Sequence, residues 1–176
     1  MAQAGAENPA PKTQDSRPKT DDRRTDLSGT WVLDAARSSA VGGGNGRGAG
    51  RGRVGGGGGL GLGPSAEELT ITQSAAALTI TERRGSATSR VVLGLDGQPS
   101  TNTIAAGRNS GGIATATSVW QDRRIVTTVV APAEPGSRDT VRYTETRSLD
   151  GDALVVEITM AGSPNSRKSV YVRKRE

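Results

Sequence analysis

Short apolar runs separated by turn signals fill the C-terminal half of the sequence. The runs are rich in Val, Ile and Thr, and they lie at Ile113–Trp120, Arg124–Val130, Asp139–Leu149, Ala153–Met160 and Ser169–Arg173. An Asp-Gly pair, Asp150-Gly151, falls between two of them, and the glycine supplies the positive φ that a tight hairpin turn needs. The pattern predicts an antiparallel meander of strands.

The N-terminal half continues this pattern with shorter segments. They lie at Thr30–Leu33, Glu68–Gln73, Ala77–Arg83, Ser89–Leu93 and, with weaker alternation, Thr101–Ala105. Leu and Ile occupy every second position of the second and third segments, which is typical of strands with one buried face. Ala35–Ser39 fits a helical turn, whereas no segment has the length and period of a three-turn helix. Of the ten segments in the two halves, we expect eight or nine to form strands, so the sequence predicts an all-β chain of eight or nine strands.

The strands and the composition together predict a single domain. Consecutive antiparallel strands close most simply into a small up-and-down β-barrel, which removes exposed sheet edges; a two-sheet sandwich is the alternative. Residues 1–26 balance five basic against five acidic groups and contain one large apolar side chain, Met1, so we expect a disordered tail. The barrel domain then spans residues 27–176. Its Gly-rich interruption at residues 41–63 is expected to be a mobile, disordered loop.

The net charge of +5 arises outside the predicted body of the barrel. The Gly-rich stretch contributes +3 and the last ten residues +4, whereas residues 64–166 sum to −2. Arg47, Arg51 and Arg53 among glycines resemble Arg/Gly tracts that bind RNA, but no aromatic side chain lies among them on which a base would stack. We therefore expect no nucleic-acid partner. The alternative is an interaction protein whose Arg/Gly loop and basic C-terminus contact nucleic acid or an anionic envelope component.

Cysteine and histidine are absent from the sequence. Disulfides, thiolate chemistry, the usual zinc cages and His-based catalytic triads are therefore excluded. Acid–base chemistry would need paired carboxylates, and Glu145 is the candidate of interest because Val141 and Tyr143 share its strand face. We favour a solvated strand-face carboxylate for Glu145. The sequence accordingly predicts no enzyme, no cofactor and no metal site.

Two features bear on the cellular location. No apolar run approaches the roughly 18 residues of a membrane-spanning helix, so no transmembrane segment is predicted. The triplet Ala2-Gln3-Ala4 before Gly5 has the small-x-small pattern of a signal-peptidase site. This pattern fits an exported mature chain to which a start Met has been added.

Gly29-Thr30-Trp31 in the first strand and Arg173 in the last resemble the lipocalins and related calycin barrels. The resemblance implies a structural lock of Gly29, Trp31 and Arg173, in which the arginine packs across the indole and closes one barrel end. Longer segments, in residues 27–39 and 113–174, look like uncharacterised lipocalin-like proteins that environmental bacteria export. They imply a calycin-type barrel acting in the periplasm or outside the cell. The Gly-rich insertion and the lack of Phe depart from the lipocalin pattern.

The function that we predict is non-enzymatic binding of a small apolar or amphipathic ligand inside the barrel of a monomer. Strand alternation makes Trp120, Tyr143 and Met160 the candidates for lining the pocket. Ordinary core packing of these three side chains is the alternative. An eight-stranded barrel can also be filled by its own Val, Ile, Leu and Thr side chains, and it is then a scaffold without a cavity.

Overall fold

Ten antiparallel strands form the part of the chain that the computed structural model describes, which is residues 24–39, 66–104, 112–133, 136–164 and 166–175. The strands are β1 Gly29–Leu33, β2 Glu68–Gln73, β3 Ala77–Arg84, β4 Ala87–Gly94, β5 Pro99–Thr103, β6 Ile113–Gln121, β7 Arg124–Pro132, β8 Thr140–Asp150, β9 Ala153–Met160 and β10 Ser166–Arg173. Val, Ile, Leu and Thr dominate them, and these residues pack well on a pleated surface.

The strands follow one another around a nearly closed barrel. Their order in the sheet is β4-β3-β2-β1-β10-β9-β8-β7-β6-β5, so the first and last strands of the chain pair with each other. The sheet begins at β4 and ends at β5, and no backbone ladder joins these two strands in the described part of the chain. Instead, the Asn102 side chain on β5 bonds to Val92 on β4. We call this junction the seam.

Alternate residues of each strand point into the barrel and form its core. The largest fully buried side chains include Trp31, Leu78, Leu93, Ile125 and Leu154. The burial pattern of β7, in which every second residue from Ile125 is buried, shows the period of two most clearly. One face of each strand therefore builds the interior, and the other faces outward.

The two ends of the barrel are built differently. The end where β1 begins and β10 ends, which we call the lock end, carries the short turns β2–β3, β6–β7 and β8–β9. The last of these is the predicted Asp-Gly turn, and Gly151 has the positive φ of 62° expected for it. The opposite end, which we call the far end, carries the β3–β4 and β9–β10 turns. The strand ends on either side of residues 40–65 and of residues 105–111 also lie at the far end.

The all-β antiparallel architecture and its closure into a barrel are confirmed, but the count of eight or nine strands is wrong. All ten candidate regions form strands, and the one with the weakest alternation, now Pro99–Thr103, pairs with β6 although it has no large apolar residue. Tertiary pairing decides the structure of this segment where local alternation is weak. A turn forms at Ala35–Arg37, within the segment where the sequence predicts a helical turn.

Several sequence predictions fall on other parts of the chain. Nearly all of the predicted disordered tail, residues 1–26, and all of the Gly-rich loop, residues 41–63, lie outside the described residues. The described body begins at Arg24, which donates from Nη1 to the carbonyl of Ala75 in the β2–β3 turn. Among the described residues, no helix has the length and hydropathy to cross a membrane.

Candidate functional site

The lock end is closed by a tryptophan and an arginine from the two paired terminal strands. Trp31 is fully buried, and its indole Nε1 donates to the Leu27 carbonyl at 2.9 Å. Arg173 is the register partner of Trp31, and its guanidinium carbon lies 4.5 Å from the ring centroid. The same guanidinium donates to the Ser28 carbonyl at 3.0 Å. This arrangement is a cation–π contact, and it holds the terminal strands together.

Gly29 is required beside this contact for two reasons. Its φ of 134° lies in a region that side chains other than glycine rarely adopt. A Cβ at this position would also collide with the Arg173 guanidinium. The Gly-x-Trp motif therefore leaves room for the arginine to stack, which is a structural role without chemistry.

The interior is divided along the barrel axis. Toward the lock end the inward side chains are mostly apolar and are buried around Trp31, and Ser118 and Thr127 are buried among them with a hydrogen bond of 2.9 Å between their hydroxyls. Farther along β3, β8 and β10, charged and hydroxyl side chains take the inward positions. We call them the polar cluster, and its members are Glu82, Arg84, Ser89, Tyr143, Glu145, Arg147, Arg167 and Tyr171.

Strand alternation places the β8 members of the cluster. Tyr143, Glu145 and Arg147 occupy successive inward positions of β8 and are each 1–3% exposed. Arg147 Nη2 donates to Glu145 Oε1 at 2.7 Å, so the two form a fully buried ion pair. The interpretation of Glu145 as a solvated carboxylate is wrong, because it follows Tyr143 inward by strict alternation.

The two tyrosines of the cluster keep their protons. Burial raises the pKa of the Tyr143 hydroxyl above its usual range, and the Glu145 carboxylate adds to the shift. Burial likewise raises the pKa of Tyr171 to about 12, with a further contribution from Glu82. Both phenols are therefore hydrogen-bond donors at neutral pH.

Two donors in the cluster have no acceptor. Tyr143 Oη and Arg147 Nη1 are buried and make no hydrogen bond within the described residues. A buried donor without a partner costs about 1–3 kcal/mol, and native proteins rarely leave one without a reason. Both groups can donate to an acceptor, and a hydrogen bond from the arginine to an anion would be charge-assisted.

The second carboxylate of the cluster is held differently. Glu82 Oε2 lies 2.8 Å from Arg84 Nη2, and the Ser89 hydroxyl on β4 lies 3.5 Å from the same carboxylate oxygen. Burial raises the pKa of Glu82, although the nearby Arg84 opposes this shift and Glu145 adds to it. Glu82 is thus the carboxylate that takes up a proton more readily than an exposed glutamate.

The predicted lining residues lie in different environments. Tyr143 belongs to the polar cluster. Trp120 is partly buried and packs against the core at the lock end of β6. Met160 is the register partner of Tyr143, but it is the last residue of β9 and 36% of its surface is exposed. The structure therefore does not bring these three side chains together around one point.

The basic C-terminal residues are largely engaged within the barrel. Arg173 stacks on Trp31, and Lys174 Nζ lies 2.8 Å from the Glu68 carboxylate. Arg167 is half-buried at an inward position of β10. No group of His, Cys, Asp and Glu side chains suited to a metal ion occurs among the residues that the structure describes.

Sequence reasoning missed Glu82 and Arg147 as site residues. Both follow apolar or aromatic residues of the same parity, since Leu78 and Ile80 precede Glu82, and Tyr143 precedes Arg147. That parity was the available signal. A charged residue is assumed to face water, and this assumption overrode the alternation at both positions.

The fold and site define a nearly closed, ten-stranded antiparallel barrel with a polar interior cluster. No protein-family model and no curated protein matches the chain. Among solved structures, the chain is similar to one described as the REP1-NXSQ fatty acid transporter, with a TM-score of 0.52, 10% identity, and coverage of 85% of this chain and 97% of the transporter. This likeness shows the barrel fold.

Two other solved structures are similar over parts of the barrel. Human cRBP IV has a TM-score of 0.48 and 15% identity, and the match covers 85% of this chain and 99% of that protein. The secretory abundant heat soluble protein 4 from Ramazzottius varieornatus has a TM-score of 0.47 and 14% identity, with coverage of 61% of this chain and 69% of that protein. The resemblance to exported bacterial proteins stays a prediction.

Proposed function

We propose that the protein binds a small amphipathic molecule inside the barrel, with an anionic head group at the polar cluster. The observation that carries the proposal is the pair of buried donors without acceptors, Arg147 Nη1 and Tyr143 Oη. A carboxylate or a similar anion would accept a hydrogen bond from each, and the bond from arginine would be charge-assisted. Glu145 orients the arginine by occupying its other nitrogen.

The division of the interior supports an apolar body for the same ligand. The cluster gives way toward the lock end to Leu78, Leu93, Ile125 and Leu154, which offer only hydrocarbon contacts. A fatty-acid-like molecule matches this arrangement of a polar head and an apolar chain. The likeness of the fold to a structure described as a fatty acid transporter supports the same ligand class.

Binding requires the barrel to open. The cluster side chains on β8 are closed off from solvent, so a ligand reaches them only when strands or side chains move. A ten-stranded barrel has a wider interior than an eight-stranded one, which its own side chains can fill. The seam, which a single side chain bridges, is the junction at which we expect this movement.

The test is a fluorescence titration with a dansyl-labelled medium-chain fatty acid. In Tyr143→Phe we expect affinity to fall about tenfold, because a hydrogen bond to a charged group contributes about 1.5–3 kcal/mol. The same change removes a buried hydroxyl that has no partner, so the free energy of unfolding should stay the same or rise.

Thr144→Ala is the matched control, because Thr144 is the next residue of β8 and faces outward. It should leave both affinity and stability near those of the unmodified protein. A loss of stability in Tyr143→Phe with unchanged affinity would give the hydroxyl a purely structural role. Absence of probe binding to the unmodified protein would remove the proposed function.

We also propose that the protein binds without catalysing a reaction and that it acts in the periplasm or outside the cell. The first point is supported by the ion pair of Glu145 with Arg147, which engages Oε1 of this carboxylate. The second point rests on the resemblance of the Gly-x-Trp and C-terminal segments to exported proteins. Recovery of the native protein in a cytoplasmic fraction alone would contradict it.

A further inference from the structure

Glu82 is a buried carboxylate whose position the proposed head group does not explain. It lies on the inward face of β3 with 6% of its surface exposed, and its direct partners are Arg84 at 2.8 Å and the Ser89 hydroxyl at 3.5 Å. A site for an anion is expected to exclude other negative charges, yet the cluster contains Glu82 as well as Glu145. We therefore expect the Glu82 carboxylate to have a role other than binding the head group.

The groups that face Glu82 come from each neighbouring element. Arg84 lies on its own strand, and Ser89 faces it from β4. Its register partner on β2 is Leu69, which carries no charge. From β8 and β10 the charged and titratable groups that act on it or on its neighbours in the cluster are Glu145, Arg147, Tyr143, Tyr171 and Arg167.

The charges of the cluster nearly balance. Arg84, Arg147 and Arg167 exceed the two carboxylates by one positive charge when both carboxylates are ionised. Protonation of Glu82 would raise that excess to two. An anion entering this enclosed space is repelled by an ionised Glu82, and the repulsion is strong because the interior has a low effective dielectric constant.

We propose that Glu82 determines the charge selectivity of the interior site, so that an anionic head group enters together with one proton that Glu82 holds. The inference rests on the proposed function. Glu145 has a different role in the proposed site, because its bond to Arg147 at 2.7 Å orients the arginine that donates to the ligand. When Glu82 is ionised, its carboxylate pairs with Arg84. When Glu82 is protonated, this ion pair weakens and the Arg84 guanidinium can interact with the ligand.

The sign of the pH dependence follows from linkage. A bound anion favours the neutral form of Glu82, so the pKa of Glu82 is higher in the complex than in the free protein, where burial already raises it. Affinity for the anion should increase as pH falls between these two values, by up to about tenfold per pH unit. Above and below this window the affinity should be constant.

The experiment compares two probes that share their aromatic rings. Anilinonaphthalene sulfonate stays anionic throughout the accessible pH range, and N-phenylnaphthylamine has no charge in the neutral range. Dissociation constants are measured by fluorescence as a function of pH for the full chain. We expect the anionic probe to bind more tightly as pH falls, whereas the affinity for the uncharged probe stays flat.

Glu82→Gln imitates the protonated carboxyl and gives the matched variant. It should bind the anionic probe tightly at every pH, with no window, and Glu145→Gln should retain the pH dependence. Calorimetry of the unmodified protein in two buffers of different ionisation enthalpy should show uptake of up to one proton per anion. This measurement tests the proposal even where a variant does not fold.

The outcomes separate this inference from the function on which it rests. If both probes bind and the anion affinity is independent of pH with no proton uptake, the role of Glu82 is wrong and the binding function stands. If Glu82→Gln keeps the full pH dependence, another group takes the proton, and the role of Glu82 is again wrong. If neither probe binds the unmodified protein at any pH, the binding function itself fails.

Discussion

The barrel is closed twice, and the two closures differ in kind. At the β1–β10 junction a backbone ladder pairs Trp31 with Arg173 and Leu33 with Tyr171, and the indole and the guanidinium stack on it. At the seam between β4 and β5, the side chain of Asn102 replaces the ladder. Closure by the backbone ladder needs no particular side chain, whereas the hydrogen bonds across the seam depend on Asn102.

The seam bond imitates a peptide. Asn102 Oδ1 accepts from the Val92 amide at 2.9 Å, and Asn102 Nδ2 donates to the Val92 carbonyl at 3.0 Å. One primary amide therefore satisfies both backbone groups of one residue, as an opposing strand would. We propose that opening of the seam gives a ligand access to the polar cluster.

The largest expected effect is at the backbone-closed junction. Trp31→Ala removes a fully buried indole and its bond to the Leu27 carbonyl, so we expect a loss of about 3–5 kcal/mol in the free energy of unfolding. The measurement is equilibrium unfolding in urea. Trp120→Ala is the control, because Trp120 is only partly buried and should cost clearly less. Equal losses of unfolding free energy in the two variants would show that the Trp31–Arg173 lock contributes no more to stability than Trp120 does.

Asn102→Ala should have a smaller and more local effect. It leaves the Val92 amide and carbonyl without their partner. The free energy of unfolding should fall by about 1–3 kcal/mol, and by less where water takes the place of the lost partner. In hydrogen exchange we expect the Val92 amide to lose protection, while the amides of β1 and β10 keep theirs. Probe association should also become faster.

Uniform loss of protection over the whole barrel would contradict this difference between the closures. Ser100→Ala is the matched control on β5, because the Ser100 hydroxyl bonds to the Ala116 carbonyl on the neighbouring strand and not across the seam. It should leave the exchange of the Val92 amide unchanged.

The sequence predicts the architecture better than the site. Glu68–Gln73 and Ala153–Met160 have the expected bounds, because their apolar residues alternate strictly between turn signals. Strand β5 is displaced from the predicted Thr101–Ala105, since its inward residue is Asn102 rather than a large apolar side chain. The position of β5 in the barrel depends on its pairing with β6, and the local sequence does not predict this pairing.

Of the polar cluster, the sequence predicted an inward position only for an aromatic residue, because aromatic residues are expected to face the core. Parity predicted that Tyr143 faces inward, and the structure buries it; its role in lining a ligand pocket stays a prediction. Glu82 and Arg147 lie on strands that are close only through the closure of the barrel. Each is neutralised by a residue two positions away on its own strand, since Glu82 pairs with Arg84 and Arg147 pairs with Glu145. The sequence contains both Glu-x-Arg pairs, but it does not show that the barrel brings them together in one interior.

The variant with the smallest expected effect, Asn102→Asp, tests the hydrogen bond that Asn102 donates across the seam. In Asn102→Asp the introduced carboxylate can accept from the Val92 amide but repels the Val92 carbonyl, whereas its protonated form donates to that carbonyl as the amide does. The neutral form is therefore favoured in the folded state, and the pKa of the introduced group is raised above its usual value of about 3.9.

The stability that the seam contributes in this variant should be complete below the unfolded-state pKa and be lost as pH rises through the raised folded-state value. We expect a change of about 1 kcal/mol, read from exchange at the Val92 amide across that window. The unmodified protein is the control, since Asn102 does not titrate and its seam should show no such step. A variant whose Val92 amide is equally protected at high and low pH would show that the donor arm of Asn102 contributes little, and that the seam is held by packing around it.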